Sequence, residues 1–521
     1  MQKEVKKFLK QDKPKVNFLN SKKKILIADR ALAEPIILHS LAAHILNKYL
    51  KYDVEVISHL SKKNDLMNIY KSFNIKKIYS LQMKKDLMKL NLLIKTIINF
   101  IISIFKIKFF GEIWFIKKFK VNKVYIGDLV YDHYIRHDLS FLKRSFFDKK
   151  FLKLLFVAIY NFYFIDKLFQ KNSYGAVISA TNTYISTSSI VMRIALKKNI
   201  KVINIISNNL RIFSKYKESL RSELYVSKKV LKKISQDKNW KKKFIIYFNK
   251  RLKGKILFPT AKDAYLNKKR YKKKDLFKIF IKNESKIKRL GFFAPHSFSD
   301  TNHGSGKMIF KDYFEHFIMT LKILNEDKKT LWLVKPHPSR HFFNEQGIVE
   351  NEIKKLKSTN VFLCPENITP KSAILAADIF VSGRGSIGLE AACFGKKTIL
   401  AGECFYSHLG FTYNPKNVDH YVKLIMSNLD NKLNNKKINL AKMAFYSQAF
   451  KNSTINSKVF PITNYININL KNKNVNQQKI KVKDYLHNLN KRISKNNSIV
   501  KDQLFNNFKE KILSEFKIDY N

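Results

Sequence analysis

Leu331-Trp-Leu-Val-Lys-Pro-His-Pro-Ser-Arg340 is an apolar run that stops at Lys335-Pro336-His337-Pro338. A second run, Asp378 to Ser382, empties into Gly383-Arg384-Gly385-Ser386. Each run has the length and punctuation of a buried strand. The helical pattern behind the second pair of glycines carries Glu390 about one turn in. Two strand ends that bring cationic and NH-rich loops to one rim of a parallel sheet make a place to hold a phosphorylated ligand. The stretch closes with ECFYSHLGFTYNP at 403–415.

The chemistry of these loops follows from their residue types. Pro336 and Pro338 hold the backbone extended around His337, which fixes the imidazole at the strand end. A rigid His beside Lys335 suits a phosphate leaving group, whose need is charge stabilisation. In the Gly383–Gly385 turn the glycines permit close backbone approach, and Ser382 or Ser386 can donate to a phosphate. Glu390 can accept from ribose or sugar hydroxyls; the plain alternative is a tight strand-to-helix turn. The spacing is not that of a dinucleotide loop, which argues against an oxidoreductase. Tyr406 and His408 either face the same rim or form a packed aromatic loop. Upstream, Arg289–Ala294 reads as a strand emptying into PHSFSDTNHGSG, where His296, Asp300 and His303 cluster before Gly304-Ser305-Gly306-Lys307. These are general acid/base candidates, and their spacing matches no metal motif.

Outward from this core, strand and helix patterns alternate. Lys24–Asp29, a helix through Lys48 and Val54–Ile57 form a βαβ unit, whose first loop carries Asp29, Arg30 and Glu34. Val121–Asp128 reads as a strand running into DLVYDHYIRH. There Asp128, Asp132 and Arg136 stand at i, i+4 and i+8, as an ion-paired helix face or an acceptor-binding or acid/base site. Tyr174–Ser179, the loop ATNTYISTSS, a helix through Lys197 and Lys201–Ile206 repeat the alternation. The expected class is α/β, with two Rossmann-like domains facing across a cleft and a helical C-terminal appendage. The expected boundaries are a flexible basic leader at 1–21, an N-terminal domain at 22–255, a C-terminal domain at 256–445 and a partly mobile helical tail at 446–521. Residues 211–287 read as a Lys-dense helical connection, and Val482–Ile493 and Val500–Phe516 as helical patches of the tail.

Composition narrows the class further. The chain has 521 residues, 45% hydrophobic and 13% aromatic, enough for a sizeable core. Lys+Arg number 101 against 39 Asp+Glu, a net charge of +62. A nucleic-acid partner, an anionic membrane face and a general bias toward Lys would each produce that charge. The lysines are spread along the chain and no nucleic-acid motif appears, so bias together with a membrane-facing surface is the expectation. Three cysteines, Cys364, Cys393 and Cys404, lack CxxC spacing and fit a reducing cytoplasm. The N-terminal MQKEVKKFLKQDKPK has no apolar core of a secretion signal. The apolar run Leu92–Phe110 is broken by Lys95, Lys106 and Lys108, so it reads as a helix on the membrane surface or one buried between domains.

Taken together, KPHP, VSGRGSIGLEAACFGKKTILAG, FYSHLGFT, FAPHSFSDTNHG and IGDLVYDHYIRH resemble the bacterial surface- and capsule-polysaccharide biosynthesis proteins. These are glycosyltransferases of the two-Rossmann-domain GT-B type, related to the capsular Kdo-transferase group. His337-Pro338 looks like their His-Pro motif, and the firm resemblance covers about 288–415. Where several relatives show a Ser/Thr-rich turn, this chain has Gly-Arg-Gly-Ser, which leaves the donor open. The resemblance implies transfer of a sugar from a nucleotide-activated donor, such as a CMP-sugar, to a surface polysaccharide or glycolipid. Lys335, His337, Pro338 and Ser382-Gly383-Arg384-Gly385-Ser386 would hold the nucleotide phosphate, with Glu390 and Tyr406 positioning the donor. Asp300, His296, His303, Asp128 and Glu34 are the candidates for catalytic base. No cofactor, metal or specific nucleic acid is expected, and the place of work would be the cytoplasmic side of the inner membrane, peripherally. The alternatives are a polyol-phosphate transferase of the teichoic-acid type and a non-catalytic glycan assembly protein.

Overall fold

The computed structural model describes residues 10, 23–29, 33–59, 66–81, 90–136, 139, 141–142, 145–206, 209–222, 224–255, 265, 269–281, 287–304, 306–430, 432–452 and 503–516. The chain divides into two units: 1–130, 146–220 and 451–521 in the first, 131–145 and 221–450 in the second. The main segment of the second unit thus runs from Arg221, where the sequence reading sets a boundary at 256, and the unit also takes in part of the DLVYDHYIRH segment. The leader and Val482–Ile493 lie outside the described residues, save residue 10.

The first unit is built on β1 (Lys24–Ala28), β2 (Asp53–Ser58), β3 (Lys77–Ser80), β6 (Tyr174–Ser179), β7 (Lys201–Ile206) and β8 (Asn209–Phe213). Their order is β3-β2-β1-β6-β7-β8. The first five run parallel, and β8 returns antiparallel to β7. Unbroken apolar runs such as Ile25-Leu26-Ile27-Ala28 suit strands covered on both faces. Lys120–Val121 (β4) and Val124–Tyr125 (β5), expected as part of one longer strand, instead form a two-residue hairpin. Its turn residues Asn122 and Lys123 both have positive φ, 46° and 65°, as a twist-compatible hairpin turn requires. Asp148 caps the Lys149–Lys171 helix by accepting the Phe151 N–H at 2.7 Å, and Ser186 with Ser189 forms a capping box on Thr187–Lys197.

The second unit carries β9 (Arg289–Ala294), β10 (Thr330–Val334), β11 (Val361–Leu363), β12 (Ile379–Ser382) and β13 (Ile399–Leu400). They are all parallel, in the order β11-β10-β9-β12-β13. Gly291, in the middle of β9, is a glycine because the Trp332 ring lies where its side chain would be: a Cβ there would come within 2.3 Å. The segment expected to be a connector is part of this unit. Val226, Ile234, Trp240, Phe244 and Phe248 share an apolar cluster with Leu389, Tyr406, Phe411 and Phe445. Both units are thus Rossmann-like, as the sequence pattern implies.

The Gln503–Glu515 helix buries Phe508, Ile512 and Leu513 in the core of the first unit, together with the Ala33–Leu50 helix.

Candidate functional site

In the second unit the strand order sends the chain outward on both sides of β9. The loops after β9, β10 and β12 therefore meet at one edge, over the switch point where open α/β sheets bind ligands. The Lys335 N–H still donates to Phe293 O at 2.8 Å, so β10 stays in register up to its prolines. Past that point three rings form a pile: His296 stacks on Tyr313 at 4.4 Å and on His337 at 4.8 Å, with interplanar angles of 15° and 22°. His337 Nδ1 accepts the Ser339 N–H at 3.2 Å and stands 3.0 Å from Ser297 Oγ. A backbone N–H can only donate, so the neutral ring carries its proton on Nε2. Burial pushes His337 down to about 3, with His296 adding to the shift and Asp300 opposing it. Burial lowers His296 as well, against the pull of Asp300. Both rings are neutral at physiological pH, and His337 presents a fixed Nε2–H donor.

Arg384, from the loop after β12, is 5% exposed. Its Nη2 donates to Gly306 O at 2.8 Å, and Nε and Nη1 have no hydrogen-bond partner among the described residues. The guanidinium lies 5.9 Å from the Tyr313 ring centroid and against Gly402, where a Cβ would stand 2.5 Å from Nε. Among the described residues no carboxylate pairs with it. A buried cation with two vacant donors is costly unless an anion joins it, so this is the strongest ligand signal at the rim.

The loop after β9 is braced from below by two buried carboxylates. Glu345 accepts the Phe298 and Ser299 N–H groups at 3.0 and 2.7 Å, and burial raises its pKa. Asp132 accepts Thr301 Oγ1, the His303 N–H and His303 Nδ1 at 2.9, 2.9 and 3.0 Å. His303 Nε2 is sealed from solvent without a partner among the described residues. Asp300 is different: its side chain is 33% exposed, 3.5 Å from Arg136 Nη1 and 4.0 Å from His296 Nδ1.

Other expected residues are engaged elsewhere. Glu390 is fully buried and receives Arg251 at 2.9 and 3.1 Å and the Tyr265 hydroxyl at 2.8 Å, which leaves it a structural ion pair and not a free donor-positioning group. Ser386 Oγ accepts from the same Arg251 at 3.0 Å, and Ser382 Oγ donates to Ala294 O at 3.1 Å. The Tyr406 hydroxyl donates to Gly385 O at 2.5 Å beneath the loop, and the buried ring packs against Gly388, so it shapes the turn without reaching the rim. Gly383 packs its backbone against Tyr313, where a Cβ would meet the ring at 3.3 Å. Lys335 Nζ reaches Ile368 O at 3.3 Å, and Lys335 and Pro338 line a separate cavity of 270 Å³ with Arg340, Glu350 and Glu366. His408 Nε2 holds Val226 O at 2.9 Å while its ring stacks on Tyr225 at 4.1 Å.

In the first unit Asp128 makes a two-pronged pair with buried Arg193, both bonds at 2.6 Å, and so serves structure there. Ser58 donates to Asp29 at 2.5 Å. Glu34 is the second residue of the Ala33–Leu50 helix, and its side chain, like Arg30, His137 and Ser305, lies outside the described residues. Sequence reasoning missed Tyr313, Asp132 as a brace, Glu345 and Arg251. Among the described residues no group of three or more His, Cys, Asp and Glu side chains is placed to hold a metal ion.

No family model matches the chain, and no curated protein matches it. Solved structures similar to it include the KpsC β-Kdo 2,4 transferase of Thermosulfurimonas dismutans, at 12% identity, covering 54% of this chain and 85% of that one, TM-score 0.27. A glycosyltransferase of Rickettsia africae ESF-5 aligns at 11% identity over 83% and 98%, TM-score 0.25. The UDP-GlcNAc 2-epimerase of Neisseria meningitidis bound to UDP-GlcNAc aligns at 13% over 82% and 99%, TM-score 0.24. At these scores the fold class rests on the two sheets themselves, one all parallel and one parallel but for its edge strand β8.

Proposed function

We propose that the chain is a glycosyltransferase that takes a sugar from a nucleotide-activated donor and passes it to a surface polysaccharide or glycolipid at the cytoplasmic face of a membrane. The observation that carries this reading is Arg384, a buried guanidinium with two N–H groups unpartnered among the described residues, which lies against Tyr313 at one end of the ring pile whose other end is a neutral His337. A cationic donor of this kind at a Rossmann switch point fits a phosphate, and a phosphate is what leaves when a nucleotide sugar is cleaved. In the step proposed, the bond between the anomeric carbon and the phosphate oxygen breaks and the electron pair stays on the phosphate. The acceptor oxygen bonds the anomeric carbon and gives up its proton. We assign the proton acceptor to Asp300, the partly exposed carboxylate of the rim loop, and not to His303, whose Nε2 solvent cannot reach.

The test is a thermal-shift and calorimetric screen of the full chain against CMP, CDP, UDP and GDP and their sugar conjugates, with His337→Ala and Asp300→Asn in parallel. Stabilisation should follow mass action for one nucleotide class and be lost in His337→Ala. Asp300→Asn should bind the donor and fail to transfer. Absence of any nucleotide shift would sink the reading, and transfer of a phosphoryl-polyol would replace it with the teichoic-acid type.

A further inference from the structure

The Leu90–Lys118 helix of the first unit is amphipathic the wrong way round for a protein surface. Its inward side carries Leu92, Thr96, Ser103 and Ile107, and the Phe100 ring meets Phe156 of the Lys149–Lys171 helix edge-on at 5.4 Å. The two inward hydroxyls are returned to the helix's own carbonyls: Thr96 to Leu92 O at 2.8 Å and Ser103 to Asn99 O at 2.5 Å. Its outward side carries the large apolar groups. Leu90, Ile94, Ile98, Ile101, Phe105 and Phe109 follow one another at four, four, three, four and four residues, a single stripe about 29 Å long. Phe105 is 68% exposed and Phe109 83%. A soluble surface does not offer so continuous an apolar band.

Charge decides what covers it. Lys95, Lys106 and Lys108 are exposed on the same helix, and Lys117 and Lys118 follow the break at Gly111, whose φ is 78°. A second copy would bring these lysines against their own kind, on a chain of net charge +62. Lipid phosphates would pair with them, while the Ile and Phe side chains enter the acyl boundary. The helix does not suit a span, because its Thr96–Ser103 side is packed along the Lys149–Lys171 helix and lipid cannot surround it.

We infer that this stripe is an in-plane docking surface for an anionic bilayer. The inference specifies the membrane contact in the proposed function but stands on this helix alone, independently of sugar transfer.

The test is flotation of the full chain with vesicles of phosphatidylcholine alone and with phosphatidylglycerol added, at 0.15 and 0.5 M salt. Phe105→Ser/Phe109→Ser leaves the charge unchanged, and it should lose at least tenfold in vesicle binding at both salts with an unchanged unfolding midpoint and nucleotide response. Lys106→Gln/Lys108→Gln should lose the preference for phosphatidylglycerol. Wild-type protein that does not float overturns the inference. So does a double Phe variant that floats like wild type, since binding is then charge alone. Concentration-dependent dimerisation abolished by the Phe variant, without vesicle binding, would assign the stripe to a second copy, and resistance to carbonate extraction from membranes would assign it to a span.

Discussion

Replacing Arg384 by Met should raise the stability of the ligand-free protein and destroy its affinity for the donor nucleotide. Among the described residues the buried guanidinium has one hydrogen bond, to Gly306 O at 2.8 Å, and two unpartnered N–H groups. Met has a similar length and removes the burial of an uncompensated charge, a cost of several kcal/mol. It also forfeits the bond to Gly306 O, worth about 1.5–3 kcal/mol for a charged donor. The balance favours Met by about 1–3 kcal/mol, and for a unit of this size each kcal/mol moves the midpoint by roughly 2–4 °C. Binding should change in the opposite sense. Two charge-assisted hydrogen bonds to phosphate at about 1.5–3 kcal/mol each amount to roughly a 10²- to 10⁴-fold rise in Kd. Differential scanning calorimetry with and without nucleotide, and titration calorimetry on both proteins, read the two effects separately. A variant that melts several degrees lower and binds nucleotide as tightly as wild type would show Arg384 to be a structural cation and refute the reasoning.

Three further outcomes are expected. Gly402→Ala places a Cβ 2.5 Å from Arg384 Nε, so it should displace the guanidinium and weaken nucleotide binding at least tenfold, an estimate from the loss of one charge-assisted bond; adding it to Arg384→Met should change nothing more, as a double-mutant cycle by calorimetry will show. Glu390→Gln strands Arg251 beside a neutral partner in a buried pair, and urea denaturation should register a loss of about 3 kcal/mol with donor affinity changed far less. Acid should destabilise the second unit well above the carboxylate range. Burial holds the fully buried His316 at about 3 when folded, while an unfolded His titrates near 6.5, so its stabilising contribution is complete above pH 6.5 and is lost as pH falls toward 3. The slope is about 1.4 kcal/mol per pH unit for this ring, measurable as urea midpoints at pH 8, 6 and 5.

The fold class was readable because parallel strands buried on both faces leave unbroken apolar runs, and the loops that follow them carry glycine, proline and charge. LWLVKPHP and IFVSGRGS announced two of the three loops at the rim, and FFAPHSFSD the third. What the sequence could not convey is which member of each loop turns inward. Glu390 looked like the free carboxylate of the site, but its partner Arg251 stands 139 residues away in a stretch that reads as a bare connector. Arg384 looked like one cation among 101, and only its packing against Gly402 and Tyr313 shows that it is buried, with no carboxylate paired to it among the described residues. Tyr313 opens a helix with no motif around it, and nothing local signals that its ring will floor a stack of two histidines. The spacing of Asp128 and Asp132 did predict a shared helix, yet one pairs with Arg193 in the first unit and the other braces the rim loop in the second. Periodicity records a face of a helix; it does not record what that face meets.

The Gln503–Glu515 helix has a consequence for how the chain is made. Phe508, Ile512 and Leu513 belong to the first unit's core, Lys509 Nζ reaches the Tyr49 hydroxyl at 3.2 Å and Lys511 Nζ reaches Leu210 O at 3.0 Å. On the ribosome, everything from Leu220 to Phe508 must be polymerised before those groups exist, a delay of roughly 15–60 s at about 5–20 residues per second. During that interval the second unit's contiguous body, 221–450, emerges whole, while the unit begun earlier still lacks part of its interior. The order of completion is therefore the reverse of the order of synthesis, and a nascent chain arrested once Phe450 has cleared the ribosome, but before Phe508 has, should hold a finished C-terminal unit and an unfinished N-terminal one.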